Sequence, residues 1–230
     1  MIAIECSETR RAVWTRRLTG TFLLILLAST WRLWTPRVSI PGLPVSSALA
    51  SVPIFVDWLL LAIAIFSCIV WTMSNSSNRI AASGLLAALA ALLLLDQLRW
   101  QPWVMQAWLF VAVLALAPPR DPIRLLRWLI IGIYFHAAIA KIDHEFAHTL
   151  GQQFLGTLLH PIGVQLESIP VKTRLYLSLA FPIAELFVAA LLCFRRTICM
   201  GVVAAVVMHL TTILILGPTG LNHAWGVLVW

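Results

Sequence analysis

Residues 144 to 148 read His144-Glu145-Phe146-Ala147-His148. On a helix this H-E-x-x-H pattern sets two zinc ligands one turn apart with a general base beside them. A third ligand would have to come from His160 or Glu167, and neither stands at a diagnostic distance. Asn222-His223 lacks the acid of the Asn-Pro-Asp-Gly-like segment that intramembrane zinc proteases use. A second kind of chemistry lies close by. Lys141 and His136 interrupt an otherwise apolar run, as Glu185 and His209 interrupt two later ones. An amine held in a dry pocket gives up its proton readily and then serves as a general base. A carboxylate held there needs a cationic partner, which Lys141 or a histidine can supply.

The elements that carry these groups follow from composition. Of 230 residues, 61% are hydrophobic and only 11% are charged, which excludes an ordinary soluble domain and indicates an all-α, polytopic integral membrane protein forming a single domain. Apolar runs bounded by Arg, Pro and Asn give about seven spans, at 18–34, 54–73, 80–95, 103–117, 125–142, 174–194 and 198–216. A cleaved signal peptide would also begin on Arg10, Arg11, Arg16 and Arg17. Yet Ala28-Ser29-Thr30 is a poor cleavage site and Trp31 follows it, so the first span reads as a retained helix.

With the N-terminus in the cytoplasm, the cytoplasmic segments carry Arg10, Arg11, Arg16, Arg17, Arg79, Arg120, Arg124, Arg127, Arg195 and Arg196. The other side receives Arg32, Arg37, Arg99, Lys141, Lys172 and Arg174, the minority that the positive-inside rule requires. The net charge of +7 therefore reflects membrane orientation rather than nucleic-acid binding, and the lipid bilayer is the expected partner. Cys6, Cys68, Cys193 and Cys199 show no CxxC spacing and suggest neither a disulfide framework nor a metal cage.

The 143–173 connection becomes extracytoplasmic. Phe146, Leu150, Phe154 and Leu158 recur every four residues there, as in an interfacial helix that plugs or lids the bundle, and His160-Pro161 ends it. Lys141 stands one residue from the outer end of the fifth span, and His136 lies roughly 9 Å below that end, at about 1.5 Å per residue. His209 falls at the depth of His136, and Glu185 lies nearer mid-membrane. Ionisable groups at membrane depth face the protein interior or a water-filled cavity, so these four are expected to share one outward-opening cavity. Pro182 is expected to kink the sixth span and free a carbonyl beside it.

The stretch "YFHAAIAKIDHEF" resembles the signature of the vitamin K-dependent γ-carboxylase-like group, the HTTM (horizontally transferred transmembrane) proteins. There a Tyr-Phe-x-Ala-Gly helix end leads to Lys-Leu-Asp-x-Asp-Trp. Tyr134, Phe135, Ala137, Lys141 and Asp143 match it, with Ile142 for the leucine, Glu145 for the second acid and Phe146 for the tryptophan. Ala138 replaces the glycine, and Ala140 stands where a second lysine often precedes the base. Glu185 and His209 resemble the family's later glutamate- and histidine-bearing helices.

The resemblance implies that Lys141 is the base that deprotonates a vitamin K-like quinol. Glu185, His136 and His209 would tune it or relay protons, and Tyr134 and Asp143 would contact the cofactor. The family carboxylase has a large extracytoplasmic region with no counterpart before Trp230, so quinol chemistry is expected rather than protein carboxylation. Two alternatives stay open. One is a non-catalytic membrane subunit or DoxX-like protein that docks other membrane or extracytoplasmic subunits. The other is a membrane zinc peptidase using His144-Glu145-x-x-His148.

Overall fold

The computed structural model describes residues 2–36, 42–74, 78–117, 122–217 and 220–221, with side chains from Arg10 onward. Among them there is no strand, and the chain is all-helical. Its helices are α1 (Ile2–Ser29), α2 (Trp31–Trp34), α3 (Ile54–Met73), α4 (Arg79–Leu95), α5 (Pro102–Leu116), α6 (Pro122–Ile139), α7 (His144–His148), α8 (Leu150–Leu159), α9 (Val171–Ser178), α10 (Ala180–Cys193) and α11 (Ile198–Leu216). They form two compact units, one running to Leu126 and the other starting at Arg127, so the boundary falls within α6.

Four stretches are long and apolar enough to cross a membrane: Ile54–Met73, Pro122–Ile139, Val171–Cys193 and Ile198–Leu216. Their outward faces carry large apolar side chains, including Phe55, Phe66, Val203, Val207 and Leu214. Water would penalise such surfaces and lipid does not, as expected of a membrane protein. α4 and α5, with 17 and 15 residues, are apolar but shorter.

In the first unit, small residues let helices approach closely, the usual device where lipid supplies no hydrophobic drive for association. A Cβ on Gly20 of α1 would lie 1.9 Å from the Thr72 hydroxyl of α3, and one on Gly84 of α4 would lie 2.9 Å from that of Ser67. Leu23, Trp71, Leu85, Leu89, Val104 and Val111 fill the core between these helices. The Asn78 side chain caps α4 by accepting from Ala81 N at 3.1 Å, and Pro102 opens α5, where no N–H is needed. Arg16 is buried and donates to the carbonyl of Ser74, the residue that ends α3. It thus closes a helix C-terminus instead of standing among the solvated arginines.

The second unit departs from expectation at three points. The span read as 125–142 ends at Ile139, where Lys141 N donates to Ala138 O at 3.0 Å and Ile142 N to Ile139 O at 3.2 Å. Those tighter bonds turn the chain before Asp143 starts a new helix. The interfacial helix is two pieces, α7 and α8, hinged at Thr149 (φ −119°, ψ −94°), although α8 does end where His160-Pro161 begins. The sixth span breaks at Leu179, three residues before Pro182, and Pro182 lies buried in the first turn of α10. A proline in the first turn costs few helical bonds, so the break is placed ahead of it.

Candidate functional site

Four side chains from three helices and one turn meet in the second unit. Tyr134, on α6, is 8% exposed and belongs to a core with Ile131, Val188, Ala189 and Leu192. Lys141 follows seven residues later, two turns on, and so continues the same face beyond the helix end. Ala138 lies between them at 0% exposure, so this face is covered by packing.

The Lys141 Nζ forms an ion pair with Glu185 Oε1 of α10. The Tyr134 hydroxyl lies 2.8 Å from Nε2 of His209 on α11, and the imidazole tautomer decides which of them donates. Glu185 is close enough to act electrostatically on both Tyr134 and His209, so the two pairs form one polar centre.

Its hydrogen bonding is incomplete. Glu185 Oε2 is buried and has no hydrogen-bond partner among the described residues. A buried carboxylate oxygen without a partner costs free energy unless something else supplies a proton or a donor. Lys141 keeps 31% of its side chain exposed against 15% for Glu185, so the pair is sealed on the carboxylate side and open on the amine side. An apolar groove of about 550 Å³ lies in the same unit, and none of the four side chains lines it. It runs between α6 and α10 from Phe135 and Leu186, the chain neighbours of Tyr134 and Glu185, to Trp128 and Cys193.

The remaining candidates lie elsewhere. His136 is exposed, about 200° around α6 from Tyr134 at 100° per residue, with its ring edge-on to Phe135 at 5.6 Å. Depth placed it with the others, but the helix turns it away. Asp143 is exposed and caps α7, accepting from Phe146 N at 2.6 Å. That bond is a local structural duty of an N-cap aspartate. His144 and His148 are exposed and stack at 4.0 Å between ring centres. Among the described residues no set of three His, Cys, Asp or Glu side chains converges, so His160 and Glu167 do not join them. Those two instead line a polar groove of about 560 Å³ beside α8, with Gln152, Gln153, Thr157 and Gln165.

α8 is held in place by the same economy of size and hydrogen bonding. Gln152 donates to Ala147 O and to Ser178 Oγ, each at 2.8 Å. A Cβ on Gly151 would lie 2.9 Å from the Ser178 Cβ, so only glycine allows α8 this close to α9. No family model matches the chain, and no curated protein and no solved structure proved similar to it.

Proposed function

We propose that this is a multi-pass membrane protein whose second unit abstracts a proton from a hydroxyl-bearing, lipid-soluble substrate of the quinol class, with Lys141 as the base. The observation that carries the reading is the half-satisfied ion pair: Lys141 on one Glu185 oxygen, and the other oxygen buried and unpartnered. Lys141 passes its proton to Glu185, and the neutral amine then takes the proton of the substrate hydroxyl. The pair ends with Lys141 charged and Glu185 protonated, while the substrate is left as its oxyanion. Tyr134 and His209, joined by their own hydrogen bond, stand in the field of the Glu185 charge that this transfer removes. The groove between α6 and α10 suits the apolar body of such a substrate. The quinol itself comes from the likeness of residues 134–146 to the carboxylase-like membrane domain.

The full seven-span topology, with a cytoplasmic N-terminus, belongs to the same proposal. It is supported by two arginine–tryptophan pairs of the kind that anchor at interfaces, one before the first span and one in its last turn. Arg17 lies over Trp14 at 5.9 Å and Arg32 over Trp31 at 5.7 Å.

The test is the rate at which dissolved oxygen, the electron acceptor, oxidises a quinol by way of its oxyanion in the presence of the purified protein in nanodiscs, for the native chain and for Lys141→Ala. A fall of about a hundredfold or more, with folding intact, is expected. Equal rates would remove Lys141 from the chemistry. No quinol-dependent activity in either protein would favour the docking-subunit reading.

A further inference from the structure

The four arginines near the start of the chain do not share one role. Arg16 is turned inward onto the end of α3, whereas Arg10 and Arg11 are exposed and Arg17 lies over the Trp14 ring. At 100° per residue, Arg10, Arg11, Trp14, Arg17, Leu18 and Phe22 fall within roughly 140° of the α1 surface. The exposed part of this stripe changes character in order. It runs from arginine through Trp14, at 56% exposure, to Leu18, Phe22 and Ile25, at 54%, 50% and 44%. Leu23 and Leu27, on the opposite side, are buried.

Between Arg10 and Ser29 there are four arginines and no acid. If the hydrocarbon boundary lies at Leu18, Trp14 stands about 6 Å above it, within the headgroup layer, and Arg10 about 12 Å above, at its outer edge. A tryptophan at that level with arginines on both sides is suited to a phosphate that has an acyl chain below it.

We propose that this face of α1 is a binding site for anionic phospholipid. The phosphodiester sits among Arg10, Arg11 and Arg17, and one acyl chain lies along Leu18, Phe22 and Ile25. Charge complementarity selects the headgroup, and the aliphatic stripe selects a lipid over a free phosphate. The site is independent of the Lys141 centre, which lies in the other unit.

Native mass spectrometry of the full chain, offered equal amounts of phosphatidylglycerol and phosphatidylcholine with identical acyl chains, tests it. The native protein is expected to retain phosphatidylglycerol in preference. Arg10→Gln/Arg11→Gln/Arg17→Gln lowers that preference about tenfold, and Arg195→Gln/Arg196→Gln leaves it unchanged. Arg10→Gln/Arg11→Gln alters only exposed side chains and is expected to show part of the loss without disturbing the fold. Glycerol phosphate added in excess leaves lipid retention unchanged. Undiminished preference in both α1 variants, an equal loss in the Arg195/Arg196 variant, or displacement by glycerol phosphate would each overturn the proposal.

Discussion

Among the described residues each unit contains one ion pair, and the two pairs are built differently. In the first unit Arg99, 3% exposed, meets Asp57 at 2.5 Å. The same guanidinium donates to Leu92 O at 3.1 Å, Leu33 O at 3.2 Å and Trp34 O at 3.4 Å. It therefore closes the C-terminal ends of α2 and α4 while neutralising the carboxylate at the start of α3. In the second unit Lys141 meets Glu185 and, among the bonds described, nothing else, and one carboxylate oxygen is left over. A guanidinium does not give up its proton in a protein, and a saturated one fixes geometry. An ammonium can exchange its proton, and an unsaturated pair has room to accept another. The first pair is a structural tie, and the second is the one to which the proposed chemistry is assigned.

The predictions separate those two roles. The largest effect on stability is expected from Arg99→Ala. It strands Asp57 and three carbonyls and should destabilise the first unit by about 3–5 kcal/mol, read as a fall in the thermal unfolding midpoint in detergent. The largest effect on activity is expected from Lys141→Ala, a loss of about 10²–10⁴-fold in quinol oxidation with a much smaller change in unfolding temperature. If Lys141→Ala instead unfolds the protein as Arg99→Ala does, the second pair is a tie like the first. Tyr134→Phe and His209→Gln each break the same hydrogen bond and should cost about 1 kcal/mol. The double variant should cost little more than either alone, which a double-mutant cycle measures. The smallest effect belongs to His136→Ala, within about 0.5 kcal/mol in stability and without change in quinol oxidation rate.

The spans at 54–73 and 198–216 were legible to the residue, because Pro53 and Gly217 flank long apolar runs that Asp57 and His209 interrupt only singly. α1 was not, since it starts at Ile2 and passes through arginines that read as its cytoplasmic flank. One of those, Arg16, spends its charge on another helix's last carbonyls, a tertiary fact that composition does not carry. The break at Thr149 lies inside a continuous helical pattern, and packing of α8 on α9 through Gly151 and Ser178 sets its place, whereas the break at Leu179 stands just ahead of Pro182, the residue that marked a kink in the sequence.

At the site, counting depth put Lys141 at the outer end of its span and Glu185 nearer mid-membrane, yet the structure joins the two directly. Depth says nothing of azimuth, which is why His136 read as their companion. The spacing of seven between Tyr134 and Lys141 was the available signal for the face they share. The Arg99–Asp57 tie was missed although Asp57 is the only acid between Glu8 and Asp96, and so the only carboxylate in that stretch for a withdrawn cation to meet.

The central claim is that Glu185 takes the proton of Lys141 when substrate binds. Infrared difference spectroscopy of the protein in nanodiscs, with and without added quinol, reads this through the carbonyl stretch of a protonated carboxylic acid. The account predicts that the band appears with quinol and is lost in Glu185→Gln. Quinol turnover at the native rate with no such band, or with a band that survives Glu185→Gln, would contradict it.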